Sequence, residues 1–307
     1  MDVSVVICTY SPSLYEDFCE AIESVLDQEY ESVEVIAVVD GSDRVCEWAR
    51  DDWGDTDRVL VHCNEKNVGL SASRNVGISL ASGDVVAFMD DDAVAEPDWI
   101  AELVSVYRDR DVESVGGRMA PLWVAGKPTF LPEEFYWLVG VTHRGFPDAG
   151  PVRNTFGSNI SFRTSVFERI GGFDESLGRI GDKQGQGEET DLATRLRTEL
   201  GGTVYYNPDA VVGHKIYEHR TDWRWLLNRA FQQGRSKYEL SRSTPELGSD
   251  EGAFLRQLFV DFVPRRVMTL HRPPRWNRLQ QLLFLLLLTA TVGAGYLTGA
   301  VRAWLRT

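Results

Sequence analysis

Residues 85–92 read VVAFMDDD. The five apolar residues Val85 to Met89 suit a buried β-strand, and the run passes directly into Asp90, Asp91 and Asp92. Three adjacent carboxylates repel one another unless solvent or a cation relieves them. A solvated acidic loop is the plain alternative. Placed where a buried strand meets the rim of a sheet, however, such a run suits a hard divalent cation that bridges few carboxylates to phosphate oxygens.

The same grammar extends outward. Val3–Cys8, Val33–Val39 and Val59–His62 are short apolar runs of strand type, and Leu14–Gln28, Ala72–Ala81 and Trp99–Tyr107 carry helical spacing. Apolar strands separated by helices predict an α/β domain, a Rossmann-like and mostly parallel sheet with helices on both faces. Ligands of such sheets sit beyond the carboxyl ends of the strands. Those ends read Thr9-Tyr10-Ser11, Asp40-Gly41-Ser42 and Asp90-Asp91-Asp92. Residues 121–160, with Pro121, Pro128, Pro132, Pro147 and Pro151, predict loops around a short helix, and helical signals return at Ser165–Ile170, Glu189–Leu200 and Trp223–Leu240.

Composition narrows the function classes. The 307-residue chain has 46 acidic and 32 basic residues, and only five of the bases are Lys. An acidic, Lys-poor surface fits a protein that works in high salt, and it argues against nucleic acid as a partner. Residues 253–307 stand apart, with eight Arg against Asp261 alone, a net charge of +7 against −21 for residues 1–252. Cys8, Cys19, Cys46 and Cys63 form no CxxC pair and are expected to be buried free thiols. The amino terminus lacks a basic region followed by an apolar one, so no signal peptide is predicted.

Leu279–Val301 is 23 residues without a charge. At about 1.5 Å per residue it matches the thickness of a bilayer core, and a single membrane span is expected. Arg265, Arg266, Arg272, Arg275 and Arg278 precede it, while Arg302 and Arg306 follow. This excess of positive charge puts the large domain in the cytoplasm and the carboxyl terminus outside the cell membrane. The expected organisation is a catalytic domain over 1–240, a polar linker over 241–252, a basic juxtamembrane segment over 253–278 with Ala253–Val263 in the interface, and the span over 279–301.

Neither GxGxxG nor GxxxxGK[ST] occurs, which disfavours dinucleotide oxidoreductases and P-loop enzymes and leaves a diphosphate to be held by metal and side chains. Asp40 can accept a hydrogen bond from a base or ribose, or serve as a turn residue. Arg74, within the segment NVGLSASRN (67–75) that opens a helix, can pair with phosphate or with the acidic run.

The segments VSVVICTYS (3–11), VVDGSD (38–43), NVGLSASRNVG (67–77), AFMDDD (87–92), GSNISFR (157–163), IGGFDE (170–175) and GEETDLATRLR (187–197) occur in an order that resembles the family-two glycosyltransferases of the GT-A fold. The resemblance covers residues 3–215. It implies that Thr9 and Tyr10 line the base pocket, that Asp40 contacts the base, that Asp90 touches ribose or metal, and that Asp92 binds Mg2+ or Mn2+ with help from His214. It further implies an inverting transfer in which Glu189, or secondarily Asp191, deprotonates the acceptor. The family's usual Glu-Asp is Glu188-Glu189 here, which displaces the second carboxylate by about one bond. Gly157, Ser158 and Asn159 are placed on the acceptor side. Arg235 lies on an aromatic and basic helix suited to a lipid-linked acceptor. The composition and carboxyl-terminal apolar segment resemble haloarchaeal transferases that build dolichol phosphate-linked glycans for N-glycosylation of surface-layer glycoproteins. The expected partners are a nucleotide-sugar donor, a lipid-linked glycan and the membrane. The rivals are a non-catalytic glycan-binding scaffold, which the Glu-Glu departure would suit, and an exopolysaccharide-building enzyme, which a single apolar segment and the lack of QxxRW disfavour.

Overall fold

The computed structural model describes residues 1–177, 187–243 and 249–305. Its first half runs β1 (Val3–Thr9), α1 (Tyr15–Leu26), β2 (Val33–Asp40), α2 (Asp43–Trp53), β3 (Val59–Asn64), α3 (Leu70–Leu80), β4 (Val85–Asp90), β5 (Ala93–Ala95) and α4 (Trp99–Asp109). The second half runs β6 (Ser114–Trp123), β7 (Gly150–Val152), β8 (Ile160–Arg163), α5 (Thr164–Ile170), α6 (Glu188–Leu200), β9 (Val204–Ile216), α7 (Glu218–Thr221), α8 (Trp223–Ser243), α9 (Ser249–Gln257), α10 (Val263–Thr269) and α11 (Arg275–Trp304). A 3-10 turn over Glu133–Val139 is the short helix of the Pro-rich stretch, and a π-helical turn over Leu258–Phe262 joins α9 to α10.

Among the described residues the strands form one nine-stranded sheet in the order β3-β2-β1-β4-β8-β6-β9-β5, with β7 beside β9. The sheet is mixed. β3, β2, β1 and β4 are parallel, as the alternation of apolar strands and helices predicts, whereas β8 pairs antiparallel with both β4 and β6, and β5 and β7 pair antiparallel with β9. Three of the antiparallel strands give little sequence signal, because β5, β7 and β8 have three, three and four residues. The α2 helix is likewise quiet in sequence. It buries only Val45, Cys46 and Ala49 and is otherwise charged, with Ser42 Oγ accepting the Val45 N–H at its start.

Register lines up the functional rim. Cys8 lies opposite Asp90, Thr9 opposite Val39, and Asp40 opposite Asn64. Period-two alternation sends Val6, Ile36, Val38, Val86 and Phe88 to one face, into a core shared with Val166 and Phe167 of α5 and Leu192 and Leu196 of α6. Phe88 meets Phe173 edge-on at 5.0 Å between ring centroids. On α3, a Cβ at Gly77 would run into the Val6 side chain, so this glycine lets helix and sheet approach closely.

The expectation of free thiols holds for Cys8 and Cys19 only. Cys46 and Cys63 are joined in a disulfide that ties α2 to β3. The chain leaves α2, turns, and returns along it as an edge strand, which brings together two cysteines 17 residues apart.

The chain divides into two compact units, residues 1–121 with 147–214, and residues 122–146 with 215–307. The boundary differs from that expected at residue 240, since α8 belongs to the second unit. Helix also occupies both ends of the expected linker: α8 continues to Ser243 and α9 begins at Ser249, while 244–248 lie outside the described residues, as does Arg306. In the second unit α8 packs on α11 through glycines. A Cβ at Gly234 would strike the Val292 carbonyl oxygen, and one at Gly295 would strike that of Phe231. Tyr238 and Tyr296 meet edge-on at 5.2 Å. Arg266 of α10 forms an ion pair with buried Glu134 and donates to Gln281 Oε1 at 2.8 Å. Among the described residues α11 is the one helix long and apolar enough to cross a membrane.

Candidate active site

The carboxyl ends of the parallel strands deliver Thr9, Asp40 and Asp90 to one rim. β5 follows immediately after the acidic run and pairs with β9 so that Ala93 lies opposite His214. This pairing brings His214 Nε2 to 3.2 Å from Asp92 Oδ1 across a long stretch of sequence. Asp90, Asp92 and His214 each offer a donor atom, all within 4.8 Å of one another. Asp92 and His214 are buried, while the Asp90 side chain is 35% exposed, so the cluster opens on one side. Two carboxylates and an imidazole around an open position fit a divalent cation that shares its remaining coordination with a ligand. Between them, Asp91 is pushed up to about 8 by burial and by the charge of Asp92, with the Thr9 hydroxyl pulling it back.

Arg74 is the hub of the neighbouring arrangement. It is 3% exposed. Its Nη2 donates to Asp90 Oδ1 at 3.0 Å and to the Gly157 carbonyl at 3.1 Å, and Nη1 lies 3.7 Å from Glu188 Oε1 and 4.0 Å from Glu189 Oε1. Burial works to lower its pKa, but Asp90, Glu189 and Glu188 more than offset this and hold it up. The guanidinium therefore reads the acidic run, as one of its two expected roles, and orients the α6 carboxylates at the same time.

Glu188 and Glu189 open α6, where the helix dipole favours acids. Burial, then the adjacent charge of Glu188, push Glu189 up to about 7, against the pull of Arg74. Gly157 stands where a Cβ would collide with the Glu189 carboxylate. Asp191 is engaged differently, since its Oδ2 accepts from Arg195 Nε at 2.8 Å. Glu189, by contrast, has a raised pKa and keeps 23% side-chain exposure.

Asp40 is buried. Its Oδ1 accepts from Asn64 Nδ2 at 3.0 Å and the Val68 N–H at 2.9 Å, and its Oδ2 from the Gly69 N–H at 2.9 Å. That fixes the turn before α3 and occupies most of a carboxylate's roughly four acceptor positions. Thr9 is buried at the rim and Tyr10 is 56% exposed. Ser158 accepts the Asp90 N–H at 2.9 Å and steadies the acidic run. The structure corrects the acceptor-side role of Asn159. It is fully buried just before β8, accepting from Trp99 Nε1 at 2.9 Å and donating to the carbonyls of Arg118 and Ala210 at 3.1 and 3.0 Å. Arg235 lies in the second unit, where it donates to Gln232 Oε1 at 3.2 Å. Sequence reasoning did not single out Asn64, Ser73 or Asn75. Asn75 accepts the Phe173 N–H at 2.8 Å and donates to the Phe173 carbonyl at 2.9 Å, a link that only the fold reveals.

Residues 4–171 match the family model described as Glycosyl transferase family 2. The chain belongs to that family. A relative in Haloferax volcanii, a glucosyl-dolichyl phosphate glucuronosyltransferase, is 48% identical over 301 residues, 97% of this chain and 96% of its own length. Among solved structures, a mannosyltransferase from Pyrobaculum calidifontis in complex with GDP-Man and Mn2+ superposes with a TM-score of 0.59 at 17% identity, covering 94% of this chain and 86% of its own. GalNAc-T7 with UDP, GalNAc and Mn2+ superposes at 0.51 with 18% identity, over 70% of this chain and 43% of its own. The fold is GT-A-like, and this family-two member is a glycosyltransferase.

Proposed function

We propose that this transferase moves a sugar, in the first instance a hexuronic acid, from a nucleoside diphosphate sugar to the hydroxyl of a glycosyl-dolichyl phosphate. The reading is carried by the near full-length similarity to the Haloferax volcanii glucuronosyltransferase, which extends through the carboxyl-terminal helix. Asp90, Asp92 and His214 would hold Mg2+ or Mn2+, which, when bound, neutralises the diphosphate leaving group. Thr9 and Tyr10 would face the base, while Asp40 shapes the wall through residues 64–69. Glu189 takes the proton of the acceptor hydroxyl as its oxygen attacks the anomeric carbon, in a single displacement that inverts configuration. Arg74 holds Glu189 and Asp90 in mutual register. The catalytic unit works in the cytoplasm, where nucleotide sugars are made, and the carboxyl-terminal helix keeps the protein at the membrane. By resemblance, the product belongs to glycan assembly for N-glycosylation of surface-layer glycoproteins.

The test is to incubate the full chain in high salt with Mn2+, UDP-glucuronic acid and glucosyl-dolichyl phosphate, and to read the lipid by mass spectrometry. A mass gain of one hexuronic acid residue is expected. Lipid unchanged with this donor and with UDP-glucose, UDP-N-acetylglucosamine and GDP-mannose would overturn the acceptor class.

A further inference from the structure

Hydropathy alone turns α11 into a membrane span, but its surroundings in the second unit point elsewhere. One stripe of the helix, Leu282, Leu285, Leu288, Gly295 and Gly299, is buried along nearly its whole length. The amino-terminal part of that stripe is tied down by Gln281 Nε2 donating to the Thr129 carbonyl at 2.8 Å and by Phe284 against Phe130 at 4.7 Å. The carboxyl-terminal part lies backbone to backbone on α8 through Gly295 and Gly234. The outer face of α8 is polar and exposed, at Arg224, Asn228, Gln232 and Ser236. Were α11 to cross a bilayer, α8 would be carried into the hydrocarbon with Arg229, Arg235 and Lys237 and with that outer stripe against lipid, where charges and unsatisfied polar groups are costly.

The opposite face of α11 is exposed and apolar from end to end, at Trp276, Leu283, Leu287, Leu297, Val301 and Trp304. Phe259, Val260, Val267 and Met268 of the α9–α10 segment are exposed as well, among Arg256, Arg265 and Arg272. This basic and apolar surface belongs to a strongly positive stretch of an acidic chain, with a net charge of +7 over residues 253–307. Such a surface fits an anionic bilayer.

We propose that α11 lies in the plane of the membrane surface, its Trp276–Trp304 face in the lipid and its other face on α8, so that the chain is held on one leaflet and does not cross. At high ionic strength, with a screening length of about 3 Å, the arginines act by direct contact with lipid headgroups.

The experiment places one epitope tag at each terminus of the full chain and treats sealed membrane vesicles with protease. In vesicles of either orientation the two tags are expected to be cut together or spared together. One tag cut while the other survives until detergent opens the vesicles would establish a crossing and overturn the proposal. In parallel, the variant Leu283→Glu/Leu287→Glu/Leu297→Glu, checked for unchanged far-UV circular dichroism, is expected to lower the fraction bound to phosphatidylglycerol vesicles at least tenfold. Binding equal to the parent chain would count against the lipid face. Neither readout uses transfer activity, so both remain valid whatever acceptor the enzyme takes.

Discussion

Glu189 carries the sharpest consequences at the scale of single residues. Its pKa is raised to about 7 by burial and by Glu188. A base acts when deprotonated, so kcat/KM for transfer is expected to fall as pH drops through about 7. Glu188→Gln removes the adjacent charge and should move that acid limb to lower pH, read from a pH–rate profile. Glu189→Gln should cost about 10²–10⁴-fold in kcat while leaving nucleotide binding intact. Because the folded state raises this pKa, the charged carboxylate destabilises the fold above pH 7, and that penalty fades as pH falls toward the unfolded value. The Gln variant should therefore melt higher than the parent at pH 8 and converge with it near pH 4.5. Asp92→Ala is expected to abolish transfer with circular dichroism unchanged, and calorimetry should show lost Mn2+ binding. The acidic run could be read directly from sequence because strand, rim and carboxylates are contiguous there. Asn75 could not, nor the reach of Arg74 to Gly157 and Glu188, because those partners lie far along the chain, as Phe173 does for Asn75. Asn159 misleads for the same reason: a polar residue in GSNIS looks exposed until the fold brings Trp99 to donate to it.

Elements differ in legibility according to how much of their burial they encode locally. β1, β2 and β4 are apolar over most of their length and announce themselves, whereas α2 buries three residues and hides among charges. What holds α2 in place is partly covalent. The Cys46–Cys63 disulfide closes a loop of 17 residues, and Cys63 precedes the Asn64 that donates to Asp40. Replacing both cysteines by Ser should lower unfolding free energy by about 3 kcal/mol on the chain-entropy account, measured by guanidinium titration. The same replacement should loosen the wall that Asp40 organises, raising KM for the donor more than it lowers kcat. The spacing of these cysteines carried no recognisable motif, so only the return of β3 along α2 could pair them. Helix α11 shows the converse limit, for its apolar run was plain in sequence, but its partner α8 decides how that run is used.

Charge acts on the molecule as a whole. With a net formal charge of −14, the folded chain repels itself, and the repulsion reaches farther as the screening length grows from about 3 Å in molar salt to about 10 Å at 0.1 M. The melting temperature is expected to rise between low and molar KCl. An unchanged value would mean that the acids are already compensated locally. The antiparallel pairing of β5 with β9 also has a temporal meaning. Asp92 and His214 are 122 positions apart, so a ribosome must release most of the first unit before His214 can join the two aspartates. A nascent chain carrying only the acidic run lacks its imidazole, so on the proposed metal role the full set of donors exists only once synthesis has passed residue 214. Metal retention by a truncated chain ending before residue 204 would then report on translation order, and the finished rim would serve as its own proof that the last strand has docked.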